Sequence, residues 1–134
     1  MAKNVAEQLV DTLEKAGVKR IYAVTGDSLN EVNEAVRKNG KIKWIHVRHE
    51  ETGAYAAAAE AQLNGELACC AGSSGPGHVH LINGLYDAQR SGAPVLAIAS
   101  TLPTHEFGTE YFQETNTIKL FEDCSYYNQV ATTP

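Results

Sequence analysis

The stretch that decides the fold is Leu67-Ala68-Cys69-Cys70-Ala71-Gly72-Ser73-Ser74-Gly75-Pro76-Gly77, an apolar run followed by a glycine-rich loop. Residues 67–71 show no alternation of apolar and polar side chains, so they predict a strand that is buried on both faces, as in a parallel sheet. The glycines and the proline of 72–77 indicate that the strand ends there and that a helix follows. A strand, a loop and a helix in succession predict one unit of a parallel α/β sheet.

The same succession repeats on both sides of this stretch. Strands are predicted at 20–24, 41–47, 66–71 and 94–99, and helices at 5–16, 28–39, 50–63 and 77–90. This alternation predicts a three-layer α/β fold, with a mostly parallel sheet and helices on both faces. The apolar runs 67–71 and 95–99 are expected in the middle of the sheet. Beyond them we predict a loop at 101–108, a short helix at 116–122 and a last strand at 126–130.

Polar and glycine signals define the helix ends. Capping boxes are predicted at two helix starts, Asn4-Val5-Ala6-Glu7 and Ser28-Leu29-Asn30-Glu31. Gly17 and Gly40 follow the same two helices, at the position where glycine often adopts a left-handed conformation.

Composition limits the class of protein. The chain has 134 residues, 43% of them apolar, which fits one globular domain. The formal net charge is −5 and no basic cluster is present, so neither nucleic acid nor an anionic membrane surface is an expected partner. No apolar stretch approaches the roughly 20 residues that span a bilayer, and we expect a cytoplasmic protein. Cys69, Cys70 and Cys124 have neither disulfide nor metal-ligand spacing and are expected in the core.

Three polar or glycine-rich segments follow the first three predicted strands: 25–28, 48–51 and 72–77. Because ligands of open parallel sheets bind outside the carboxyl ends of the strands, we expect these segments to share one rim. Glu50 and Glu51 open a predicted helix, where a carboxylate is favoured in any case by the helix dipole. They are therefore either ordinary first-turn carboxylates or candidates for chemistry.

The glycine-rich loop leaves two interpretations open. It could bind a phosphate at the start of the following helix, but it lacks the Lys-Ser or Lys-Thr of a P-loop, and His80 occupies the third glycine position of a dinucleotide fingerprint. Alternatively, Gly75-Pro76-Gly77 lets the backbone approach a flat or bulky partner closely.

The helix predicted after Glu50 carries mostly alanine and glycine over residues 53–61. Such small side chains permit close packing, either on the sheet of the same chain or against another subunit. The histidines do not show metal-ligand spacing, so no metal site is predicted within this chain.

Four stretches of the sequence, taken together, resemble a known family. They are Val24-Thr25-Gly26-Asp27-Ser28, Val47-Arg48-His49-Glu50-Glu51, residues 72–88 and Tyr111-Phe112-Gln113-Glu114-Thr115. In this order the chain resembles the N-terminal pyrimidine-binding domain of thiamine-diphosphate enzymes, within the group of pyruvate oxidases, quinone-dependent pyruvate dehydrogenases and acetolactate synthases. The similarity extends over essentially the whole chain and implies a thiamine-diphosphate-binding fold.

The resemblance implies a catalytic role for Glu50, which directly follows the histidine of the Arg-His-Glu motif. In the family this carboxylate hydrogen-bonds N1′ of the aminopyrimidine and thereby favours loss of the thiazolium C2 proton, while the cofactor carries out the carbon chemistry on a 2-keto acid. Glu51 has no such role in the family and is expected to face solvent.

The resemblance also implies roles for other residues in the same motifs. Cofactor contacts are implied for Thr25, Gly26, Ser74, Gly75, Pro76 and Gly77. A substrate pocket is implied for His80, Phe112 and Gln113, although Phe112 could also be an ordinary core aromatic. Many relatives have proline where this chain has Thr25.

The resemblance also implies what lies outside this chain. Mg²⁺ and FAD are expected on other domains, so 1–134 is expected to be an excised or truncated N-terminal domain that is inactive alone. The whole enzyme is expected to oxidise pyruvate as a homo-oligomer, with its site between subunits and either a quinone or oxygen as electron acceptor. The alternatives are a non-redox acetolactate synthase or 2-keto acid decarboxylase domain, and a flavodoxin-like interaction module without catalysis.

Overall fold

Six α-helices and four β-strands make up residues 3–132, the part of the chain that the computed structural model describes. The strands are Arg20–Ala23 (β1), Lys43–His46 (β2), Ala68–Gly72 (β3) and Val95–Ala99 (β4). The helices are Val5–Lys15 (α1), Asn30–Asn39 (α2), Glu50–Asn64 (α3), Pro76–Val79 (α4), Ile82–Arg90 (α5) and Thr117–Phe121 (α6). The strands are all parallel, in the order β2-β1-β3-β4, which confirms the predicted α/β fold.

Helices cover both faces of this sheet. One apolar cluster packs α1 and α2 against the face to which Ile21 and Cys69 contribute. A second cluster packs α3, α5 and α6 against the opposite face, to which Cys70 contributes. Successive side chains of a strand point to opposite faces, so β3 needs apolar residues throughout, as its sequence predicts.

The register of the sheet brings the carboxyl ends of three strands to one level. Ala23 of β1 lies opposite His46 of β2 and opposite Ala71 of β3. The segments that follow these strands therefore leave the sheet at the same edge, as expected.

The lateral position of β4 differs from the prediction. The run 95–99 is expected in the middle of the sheet, but β1 and β3 lie there and β4 is at the edge. Its residues are only half-buried, although Leu96 and Val95 pack against the two opposite apolar clusters. An uninterrupted apolar sequence therefore indicates that both faces of a strand are covered by other elements. It does not indicate whether the strand is central in the sheet.

The helix starts are predicted correctly in one case and wrongly in another. At α1 the Asn4 side chain accepts from the Glu7 amide at 2.8 Å and the Glu7 carboxylate accepts from the Asn4 amide, which confirms the capping box. The capping box predicted at Ser28 is wrong. A 3-10 turn, Asp27–Leu29, leads into α2, and the Ser28 hydroxyl instead accepts from the Ser74 amide at 2.9 Å.

Both predicted glycine positions at helix ends are confirmed. Gly17, just after α1, has φ 91°, and Gly40, after α2, has φ 69°.

The helix predicted at 77–90 is interrupted. The amide of Leu81 bonds the carbonyl of His78 at 3.2 Å, three residues back, so the chain tightens between α4 and α5. Leu81 is completely buried, and the tighter turn delivers its side chain to the core.

The last part of the chain is less regular than predicted. The short helix near 116–122 is confirmed as α6, capped by the Asn116 side chain. The strand predicted at 126–130 is wrong, because those residues pair with no strand of the described chain, and Tyr126 and Tyr127 are exposed. None of the helices in residues 3–132 combines the length and apolar character needed to cross a membrane.

The small residues of α3 pack closely within this chain. Ala54, Ala57 and Ala61 are buried in the cluster that α3 shares with α5. A Cβ added at Gly84 of α5 would lie 2.5 Å from the Cβ of Ala54. The two helices therefore touch through their backbones at this point.

Candidate cofactor site at the strand ends

The segments after β1 and β3 contact each other directly at the rim. The hydroxyls of Ser28 and Ser73 are 2.9 Å apart, and a Cβ added at Gly26 would overlap the Ser73 side chain, 2.3 Å from its Oγ. Glycine at position 26 therefore allows the two segments to pack. Thr25, beside it, is exposed.

Glu50 is the first residue of α3 and lies at the rim, next to Gly77 and His80. Its relative exposure is only 9%, unusual for a carboxylate without a salt bridge to lysine or arginine. The helix start favours a negative charge at this position. His49 caps the helix by accepting from the Glu51 amide at 3.3 Å.

The two carboxylate oxygens of Glu50 have different surroundings. Oε2 lies 3.1 Å from Nδ1 of His80, within hydrogen-bond distance. Oε1 lies beside Gly77, 3.4 Å from where a Cβ at that position would be, and bonds no group of residues 3–132. One oxygen is thus held by the protein and the other is available to a ligand.

His49 and His80 stack on each other next to this carboxylate, with ring centroids 4.3 Å apart and planes inclined by 25°. With Glu50 they bring three potential metal-ligand atoms within 4.8 Å of one another. The lone pair of an imidazole nitrogen lies in the ring plane, so two stacked rings do not aim their lone pairs at one point. Both histidines could bind one ion only after a ring turned, and a preformed metal centre does not fit this geometry.

The glycine-rich loop is already hydrogen-bonded in a way that does not suit a phosphate. The amide of Ser74 donates to the Ser28 hydroxyl, and the amide of His78 donates to the Ser73 carbonyl at 2.8 Å. Pro76 has no amide hydrogen, and α4 has only four residues. The amides of Ser74 and His78 are therefore not available to bind an anion. The loop fits better the alternative of close backbone approach by a flat group.

A second segment, 111–115, packs onto this loop. The Ser74 hydroxyl donates to Oε1 of Gln113 at 3.2 Å. Gly75 has φ 64°, and a Cβ there would be 2.8 Å from the Cβ of Gln113, so only glycine fits beneath this segment. Phe112 is 76% exposed, so it is not a core aromatic within residues 3–132.

The predicted site residues thus fall into two contacting groups. Glu50, Gly77 and His80 are adjacent, and Ser74, Gly75 and Gln113 form the neighbouring group. Glu51 is half-buried, with its carboxylate 4.0 Å from Nδ1 of His49.

His78 is a residue of this region that the sequence analysis did not single out. Its side chain is completely buried, with Nδ1 2.8 Å from the carbonyl of Ser100 and Nε2 2.5 Å from the hydroxyl of Thr115. Burial lowers its pKa, and the bond to the Ser100 carbonyl opposes that effect. Its partners are 22 and 37 residues away in sequence, so no local pattern could have revealed it.

Comparison with known proteins places this geometry in context. Residues 3–120 match the family described as thiamine pyrophosphate enzyme, N-terminal TPP binding domain. An uncharacterised 42.6 kDa protein of Pseudomonas amyloderamosa is 58% identical over 97% of this chain and 33% of that protein. The putative thiamine pyrophosphate-containing protein YdaP of Bacillus subtilis is 46% identical over 95% of this chain and 22% of that protein. The pyruvate oxidase of Lactiplantibacillus plantarum is 42% identical over 92% of this chain and 21% of that protein. The chain therefore spans between a fifth and a third of the length of these relatives.

Proposed function

This chain belongs to the family of N-terminal thiamine-pyrophosphate-binding domains of thiamine pyrophosphate enzymes, and we propose that it binds the aminopyrimidine of thiamine diphosphate against Glu50. The observation that carries the proposal is the asymmetry of that carboxylate. One oxygen is held by His80, and the other borders Gly77 and has no hydrogen-bond partner among residues 3–132.

The residues around Glu50 fit a flat heterocycle with a ring nitrogen. Gly77 keeps the space beside Oε1 free of a side chain. His80 bonds Oε2 and so fixes the orientation of the carboxylate. Because the carboxyl group is buried, a hydrogen bond from Oε1 to a ring nitrogen is exposed to little competing water.

Glu50 then has one chemical task, to hold and exchange a proton at Oε1. General acid–base exchange requires the group to lie within hydrogen-bond reach of the atom it serves. Its position at the start of α3, with His80 behind it, provides that fixed position. When bound, thiamine diphosphate supplies the carbon nucleophile and electron sink for decarboxylation of a 2-keto acid.

The finer proposal is that the whole protein oxidatively decarboxylates pyruvate in a flavin-linked reaction. The 42% identity to a protein named pyruvate oxidase supports it. We further propose that Mg²⁺ and FAD bind outside residues 1–134, that the protein is cytoplasmic, and that the site is completed by a partner subunit in a homo-oligomer. Support for the partner subunit comes from Phe112, a large apolar side chain left exposed beside the site.

The test uses the full-length protein with Glu50→Gln, and Glu51→Gln as the matched control. General acid–base catalysis contributes roughly 10²–10⁴-fold, so we expect Glu50→Gln to lower thiamine-diphosphate-dependent pyruvate consumption by at least about a hundredfold. Glu51→Gln should stay within about threefold of the wild type, because within residues 3–132 its carboxylate lies beside His49 and makes no hydrogen bond to Glu50 or His80. Equal activity of the two variants would refute the role of Glu50.

The reaction product distinguishes the proposed oxidase from a synthase. Carbon dioxide release with stoichiometric reduction of an electron acceptor supports the flavin-linked proposal, whereas acetolactate formed without an acceptor contradicts it. The 134-residue chain alone should bind thiamine diphosphate weakly, because the diphosphate is proposed to bind elsewhere; tight binding in isothermal titration would contradict this.

A further inference from the structure

The segment that packs onto the glycine loop has an unusual backbone. Gln113 has φ 66° and Glu110 has φ 58°, and no other non-glycine residue in positions 3–132 has a positive φ. A left-handed conformation is unfavourable for residues with a Cβ, and such outliers persist only where surrounding contacts hold them. Something must therefore fix the segment around Gln113.

Besides the packing of Gln113 on Gly75, two side-chain hydrogen bonds join this segment to the residues beneath it. One is the bond from the buried Ser74 hydroxyl to Gln113, and water can compete for it because Gln113 is an exposed residue. The other joins the hydroxyl of Thr115 to Nε2 of His78, and its histidine side is completely buried. The second contact joins a completely buried side chain to the half-buried Thr115, so it is the better shielded of the two and the stronger candidate for the anchor.

The hydrogen-bond partners of His78 determine which of its ring nitrogens carries the proton. The carbonyl of Ser100 can only accept a hydrogen bond, so Nδ1 of His78 carries the hydrogen. In the neutral ring Nε2 is then an acceptor, and the Thr115 hydroxyl donates to it. The ring is thus a fixed bridge between the carboxyl end of β4 and Thr115.

We propose that His78 is a positioning residue, which through Thr115 holds Gln113 and Phe112 in place over the glycine loop at the cofactor site. The anchoring of the segment stands on the contacts alone. Its effect on substrate turnover rests on the function proposed above. The competing explanation is a buried histidine that satisfies its own polar atoms and stabilises the fold without influence on the segment.

The variants are made in the full-length protein. They change the Thr115 end and the His78 end of the bridge one at a time. Thr115→Val removes the hydroxyl at the half-buried end and leaves the buried ring in place. Thr109→Val is the matched control, because among the described residues its hydroxyl bonds only the Glu106 carbonyl in the adjoining loop. His78→Asn keeps an amide near the Ser100 carbonyl but does not reach Thr115, whereas the longer side chain of His78→Gln does.

The first measurement is hydrogen exchange in peptides that cover residues 107–116, and it does not depend on activity. One lost hydrogen bond corresponds to a change of up to roughly tenfold in an equilibrium. We expect about three- to tenfold faster exchange of the Glu114 amide, which bonds the Tyr111 carbonyl, in Thr115→Val and His78→Asn. Exchange in β1 should not change. Unchanged exchange of the segment in both variants would overturn the proposal.

The second measurement is pyruvate turnover and thiamine diphosphate affinity. We expect kcat/KM to fall by about three- to tenfold in Thr115→Val, while the Kd of the cofactor changes by less than about twofold, because Glu50 and His80 are untouched. The double variant His78→Asn/Thr115→Val should be no slower than the slower single variant, and His78→Gln should restore most of the rate.

Two results would count against the positioning role. Turnover of Thr115→Val equal to that of Thr109→Val would refute it, even with faster exchange. Equal losses in kcat/KM and in cofactor affinity would indicate general loosening of the fold. If instead the Glu50→Gln variant keeps full turnover, the proposed function fails, and the exchange data still decide whether His78 anchors the segment.

Discussion

Replacing Gly84 by alanine should push helices α3 and α5 slightly apart. The added Cβ would lie 2.5 Å from the Cβ of Ala54, 2.7 Å from the amide nitrogen of Tyr55 and 2.8 Å from the carbonyl carbon of Ala54. Carbon atoms prefer separations of about 3.5–4.0 Å, and two of these three atoms belong to the backbone, so no side-chain rotation relieves the contact. The helices must move apart by about 1 Å.

The expected cost follows from two opposing effects. Overpacking a core costs about 1–3 kcal/mol, and the upper end applies because backbone atoms are involved. Alanine is favoured over glycine within a helix by about 1 kcal/mol. The free energy of unfolding should therefore fall by about 2 kcal/mol, the difference between these two terms.

Urea unfolding followed by circular dichroism tests this value. If the free energy of unfolding falls by about 2 kcal/mol per molar urea, the urea concentration at the midpoint of unfolding should be about 1 M lower for Gly84→Ala than for the wild type. The control is Asn83→Ala, on the exposed side of the same helix, which should keep or slightly raise the midpoint. A midpoint for Gly84→Ala at or above that of the wild type would show that the helices do not cross this closely.

Three further measurements test other parts of the structure. Asn4→Ala removes the capping box of α1 and should lower the free energy of unfolding by about 1 kcal/mol in urea titration; an unchanged midpoint would contradict the cap. Burial lowers the pKa of His78 below its unfolded value of about 6.5, so its contribution to stability is complete above that pH and is lost as the pH falls through the folded pKa. The urea midpoint should thus fall less between pH 7 and 5 in His78→Gln than in the wild type, and parallel losses would contradict this. Burial also raises the pKa of Cys70 to about 12, so a thiol reagent at pH 8 should label this cysteine only after unfolding; rapid labelling of the native chain would contradict its burial.

The features that depend on local spacing were predictable from the sequence. Alternating strand and helix patterns identified all four strands, and the Asn4 capping box and the glycine at position 40 marked helix ends. These signals are encoded within a few residues. Where a distant part of the chain offers a better partner, the local signal fails. Ser28 has the spacing of a cap, but its hydroxyl bonds Ser73 and Ser74 on another strand end.

The site was predictable to the extent that the topology fixes it. The carboxyl ends of adjacent parallel strands converge, so Glu50 and the glycine loop were expected together. The pairing of Glu50 with His80 depends on the conformation of the turn between α4 and α5. The spacing of apolar residues in the sequence does not reveal that conformation. The bridge of His78 to Ser100 and Thr115 depends on three separate segments, so it could be found only in the folded chain.

The open edge of β4 has a practical consequence for work with this chain alone. Val95–Ala99 is a run of apolar residues without proline, lysine or a bulge, and has no strand on its outer side within residues 3–132. Unpaired amides and carbonyls on such an edge are a template for another strand. Self-association of the purified 134-residue chain should therefore rise with protein concentration.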